Sequence, residues 1–123
     1  MSEPIRVNRL LTNEEYELTR WMLEHGNDEA KIFLEQLDRA RVVDLCPCGC
    51  ASIDFEIEGL GEAPPGVNIL GDFIFGDKQD PFGIFVFESG GILSGVEVYG
   101  YVSDAPRTLP LTSELRTYEE GYR

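Results

Sequence analysis

The spacing of apolar residues changes once along this chain, near Arg41, and that switch limits the folds open to it. Before it, apolar side chains recur every three or four positions, the period of a helix; after it they alternate, the period of a strand. Thr12-Asn13-Glu14-Glu15 has the pattern of a capping box, in which Thr12 accepts from the Glu15 amide and Glu15 reaches back. Leu18, Trp21 and Met22 then form an apolar stripe, and Gly26 is expected to end the helix in a left-handed C-cap. Asn27-Asp28-Glu29 opens a second helix with Ala30, Phe33, Leu34 and Leu37 facing inward. The spacing therefore predicts a helical hairpin over residues 12–40.

Strands are expected at Val42 to Leu45, Ser52 to Glu58, Asn68 to Phe75, Phe82 to Phe87 and Ile92 to Val102, with 59–66 a loop. Tight turns between them require antiparallel pairing. The fold class is α+β: an N-terminal helical hairpin packed on one face of a four- to five-stranded antiparallel sheet spanning 41–102. Residues 103–123 carry Pro106 and Pro110 and read as a terminal segment free to move, with one short helix near Ser113.

At 123 residues the chain makes one domain, and 23 acidic against 10 basic residues leave a net charge of −13. Nucleic acid and anionic membrane are excluded as partners, because both require clustered Lys and Arg. Met1-Ser2-Glu3-Pro4-Ile5-Arg6 lacks the pattern of a secretory leader, and no apolar run approaches the roughly 20 residues of a membrane-spanning helix. Cytoplasmic residence is expected.

Cys46-Pro47-Cys48-Gly49-Cys50 is the one string with chemical character. Thiolates are soft ligands, and alternate residues of an extended segment point the same way, so Cys46, Cys48 and Cys50 could converge on an ion. Zinc fits such a set, although no cofactor is required by the sequence. A fourth ligand would have to be His25, the only histidine, or a carboxylate such as Asp44. The competing readings are a bend whose buried cysteines act as small hydrophobes, or a redox or nucleophilic thiol. Three cysteines within five residues do not form a secreted disulfide framework. P-loop, dinucleotide and zinc-protease patterns are absent, and no catalytic residue is singled out.

If Ile53, Phe55 and Ile57 face the helices, Asp54, Glu56 and Glu58 face away from them. In the last strand Ile92, Val96, Val98 and Val102 share one face, and Glu97, Tyr99 and Tyr101 the other. Acids and tyrosines on one surface suit recognition of a basic protein partner. Phe85 and Phe87 make the outer face of the central strand apolar too. Either the C-terminal segment covers them or a second subunit does, giving a homodimer.

The chain resembles an uncharacterised family of small bacterial proteins. The likeness is carried by the helical start at Leu10-Leu11-Thr12, by Arg41-Val42-Val43 leading into Cys48-Gly49-Cys50-Ala51-Ser52-Ile53, by Gly91-Ile92-Leu93-Ser94-Gly95-Val96-Glu97-Val98-Tyr99, and by Asp104-Ala105-Pro106-Arg107 with Leu109-Pro110. The family has no established activity, so the resemblance implies no catalytic residue, and Cys46 lies outside its cysteine string. The expected function is a non-catalytic acidic protein-binding domain, inhibitor- or immunity-like, acting through the outer sheet face. The alternative is a thiol-based metal-binding or redox protein centred on the cysteines.

Overall fold

The computed structural model describes residues 3–117. Strand β1 (Ile5–Leu10) leads into helix α1 (Asn13–Glu24), a single 3-10 stretch (Ala30–Phe33) and the one-turn α2 (Leu34–Leu37). The sheet continues with β2 (Ala40–Leu45), β3 (Ile53–Ile57), β4 (Gly61–Glu62), β5 (Asn68–Asp77), β6 (Asp80–Ser89) and β7 (Ile92–Gly100). A short 3-10 turn, Thr112–Glu114, follows.

The α+β class holds, with two corrections to its parts. The sheet has seven strands among the described residues, in the order β1-β2-β3-β7-β6-β5 with β4 beside β3, rather than four or five. It is two antiparallel meanders joined where Ile53 pairs with Val96 and Asp54 with Gly95, not one continuous meander. The helical hairpin is likewise only half present. Its first arm is a three-turn helix, but its second is 3-10 and α in immediate succession, too short for a hairpin arm.

Local chemistry explains the first arm. Glu15 N donates to Thr12 Oγ1 at 3.1 Å, and Thr12 N donates to Glu15 Oε1 at 2.8 Å, which closes the capping box. The same carboxylate receives both Nη atoms of Arg9, at 2.8 and 2.9 Å, and ties β1 to the helix. Gly26 is not left-handed. It is needed for another reason: a Cβ there would sit 2.3 Å from the Leu70 carbonyl, so glycine lets the helix end approach β5. The second arm is pinned through Gln36, whose side chain donates to Gly91 O at 2.9 Å and accepts from Leu93 N at 2.8 Å.

One core lies between α1 and the sheet, built on Leu18, Met22, Leu23, Phe55, Ile57, Ile84, Val86, Leu93 and Val96. The C-terminal segment joins this side. Leu109 and Leu115 pack against the core, and Arg116 exchanges two 2.8 Å backbone hydrogen bonds with Ile74. The described part of that segment therefore runs along the helical side and caps the free edge of β5 instead of covering Phe85 and Phe87. Residues 118–123, the rest of it, lie outside the described residues. On the outer face, Phe87 lies beside the segment 63–66 that follows β4: Ser89 Oγ donates to Pro65 O at 3.2 Å, and Pro64, Pro65 and Phe87 line a 170 Å³ cavity.

The candidate thiol centre and its acidic cleft

The cysteine string occupies the connection between β2 and β3 and is a turn, the bend of one reading rather than the extended segment of the other. Gly49 N donates to Cys46 O at 3.1 Å, which makes Cys46 to Gly49 a β-turn with Pro47 at the position proline favours. Gly49 is left-handed, at φ 89°, and turns the chain back so that Cys50 returns toward its neighbours. All three Sγ atoms lie within 4.8 Å of one another. Convergence comes from curling the backbone rather than from strand alternation. The cysteines are not the buried hydrophobes of a plain bend either: Cys48 is exposed, Cys46 and Cys50 are half-buried, and all three are free thiols.

Hydrogen bonding sets Cys46 and Cys48 apart. Cys46 and Cys48 Sγ are 2.7 Å apart, and Cys50 N donates to Cys48 Sγ at 3.4 Å. The bond to Cys48, then burial, push the Cys46 thiol up to about 11. The bond from Cys46, then the Cys50 amide, hold the Cys48 thiol below its usual range. Of this pair Cys48 is thus the first to become a thiolate, the form that binds metal. Three thiolates on a turn fit a thiophilic ion, and the cluster could hold one.

Cys46 and Cys50 form a wall shared by two clefts. The first, of 360 Å³, is also lined by Asp44, Ser52, Asp54 and Glu97. The second, of 460 Å³, contains Arg9, Glu15 and Arg107. In the first, Asp44 is already committed, with Arg6 Nη1 at 2.8 and 3.0 Å from its two oxygens. The same nitrogen lies 2.9 Å from Glu62 Oε1. Asp54 receives no such help. Burial, followed by the charges of Asp44, Glu97 and Glu62, raises its carboxyl to about 6.

That shift fixes the sign of a pH effect. The folded state holds the Asp54 proton more tightly than the unfolded chain does, so its contribution is favourable below about pH 4 and is lost as pH rises toward 6. Asp54→Asn is expected to stabilise the protein by about 1 kcal/mol at pH 7.5, a value reduced for solvent screening, and to do nothing at pH 3.5. Urea melts of both proteins at the two pH values measure the difference.

The structure brings most of the residues expected on the outer face together. Asp54, Glu56, Glu97 and Tyr99 share one surface of the sheet, joined by the β3–β7 pairing. Glu58 and Tyr101 lie beyond the ends of β3 and β7. Val102 is 73% exposed and does not continue the inner face of the last strand. The Tyr99 ring lies over Gly83, its cross-strand partner, where a Cβ would come within 2.1 Å of the ring. Its hydroxyl donates to Asp72 Oδ1 at 3.1 Å. Tyr99 and Tyr101 stack edge-on with centroids 5.4 Å apart. His25 is remote from the thiols; it stacks on Trp21 at 4.1 Å, and its Nδ1 lies 2.8 Å from Trp21 O. Arg6 and Arg107 were not legible as parts of this region, since each reaches it through strand pairing or a terminal segment rather than a local motif.

A cluster of three thiols beside an acidic cleft is the class of site this fold presents. No family model matches the chain, and neither the curated proteins nor the solved structures contain a significant match. No helix among the described residues is long and apolar enough to cross a membrane.

Proposed function

We propose that the protein binds one thiophilic metal ion, zinc foremost, through Cys46, Cys48 and Cys50. The observation that carries this reading is the convergence of three Sγ atoms within 4.8 Å on a turn shaped by Pro47 and Gly49. None of the buried residues of the core comes from the turn, of which only Cys50 packs against it, so the ion is functional cargo or a functional centre rather than the scaffold of the fold. Competition against a chromogenic chelator under reducing conditions is expected to give one zinc per chain, with all three thiols protected from alkylation. Stripping that zinc leaves the far-ultraviolet circular dichroism unchanged. Three alkylatable thiols at saturating zinc defeat the reading.

A second reading draws on a different observation, the placement of Asp54, Glu56, Glu97 and Tyr99 on one sheet surface of a chain with net charge −13. Under it the outer face recognises a basic protein partner. With a lysine-rich peptide as probe, Glu56→Lys with Glu97→Lys is expected to slow association by about tenfold at low salt, with little difference at 1 M salt. Stopped-flow fluorescence checks this, and rates indifferent to both changes and to salt remove it.

A further inference from the structure

We infer, resting on the metal reading above, that the ion keeps an exchangeable fourth coordination position opening onto the 360 Å³ cleft, and that this position takes neutral donors, water or an imidazole nitrogen, in preference to anions. The first ground is the lack of a fourth protein ligand. Among the described residues the ligand cluster consists of the three sulfurs alone. Asp44, paired with Arg6, and His25, held at Trp21, are not part of it. Three protein ligands with an open position characterise zinc sites that exchange ligands, whereas structural sites are closed by four.

The second ground is access. On the side of the second cleft the Arg107 guanidinium lies against the turn, with Nη1 2.6 Å from where a Gly49 Cβ would be. It is kept there by the 2.9 Å hydrogen bond from Ala51 N to Pro106 O. Both clefts reach Cys46 and Cys50, and the acidic one is the approach whose lining holds no arginine.

The third ground is charge. Asp54 and Glu97 line that cleft, and only Asp44, among its acids, has an arginine. Their field opposes an entering anion, and Asp54 is placed to accept a proton-bearing donor, the O–H of bound water or the N–H of an imidazole. Asp54 is a positioning residue here, acting on the ligand rather than on the metal.

Cobalt(II) in place of zinc makes the inference visible. The holoprotein is expected to show thiolate-to-cobalt charge transfer, and imidazole is expected to shift its ligand-field bands with saturation. The double variant Asp54→Asn, Glu97→Gln keeps the charge-transfer bands, binds azide about tenfold more tightly than the natural chain, and gains nothing for imidazole. Intact charge transfer with ligand-field bands indifferent to both ligands means a closed site and overturns the inference while leaving the metal reading in place. Equal gains for azide and imidazole in the variant overturn the charge selection. Absence of charge transfer in the natural chain overturns the metal reading and the inference with it.

Discussion

Cys48→Ser is expected to weaken zinc binding by about 100-fold or more, measured by competition against a chelator of known affinity. Even residues that merely orient a ligand cost about 10- to 100-fold when removed, and Cys48 is a ligand itself. It is also the sulfur whose thiolate the surroundings favour, through the bond from Cys46 and the Cys50 amide. Serine keeps the size and a hydrogen-bonding oxygen but supplies no soft anion at neutral pH. Because Cys48 is exposed and outside the core, its loss is expected to leave the melting temperature of the metal-free protein unchanged. A variant that binds zinc as tightly as the natural chain means the ion, if any, is held elsewhere.

Phe55→Ala is expected to cost about 3–5 kcal/mol, the range for emptying a buried phenylalanine site. Phe55 is 2% exposed and pairs with Val42 across β2 and β3. It lies two residues past Ile53, where the halves of the sheet meet. Phe55 belongs to one buried cluster with Ile57, Val96 and Leu93, whose close packing leaves the site little freedom to collapse. Urea denaturation with a two-state fit measures the loss. Glu58→Ala, on an exposed residue beyond the strand, serves as a control expected within about 0.5 kcal/mol of the natural chain. A Phe55→Ala loss below about 1 kcal/mol would mean that the halves of the sheet are not packed together here.

What was legible in the sequence had a local cause. The Thr12–Glu15 box and the Ile53, Phe55, Ile57 alternation are short-range patterns, and both elements formed where expected. β1 has the same alternation, but only over Ile5 to Asn8 before Arg9 and Leu10 break it. As an exposed edge strand with a register shift between Arg6 and Arg9, it gives little signal of burial. The second helical arm had helical spacing without the length to hold regular α-helix.

The candidate site divides along the same line. That three cysteines stand together is plain from Cys46 to Cys50; that they curl, by a proline-led turn and a left-handed glycine, is a matter of backbone geometry. The acidic cleft depends on Asp54 meeting Gly95, a pairing between distant segments that no local pattern announces. Asp44, a candidate ligand by sequence, is paired instead with Arg6, brought in by the unforeseen first strand, and is not part of the thiol cluster. Gly26 was expected on conformational grounds and is required on steric ones, since only the fold places Leu70 against it.

X-ray absorption at the zinc edge of the reconstituted protein tests the central claim most directly. Coordination by Cys46, Cys48 and Cys50 predicts three sulfur scatterers at about 2.3 Å and one lighter atom at about 2.0 Å. A shell of oxygen and nitrogen alone, with no sulfur, would contradict it.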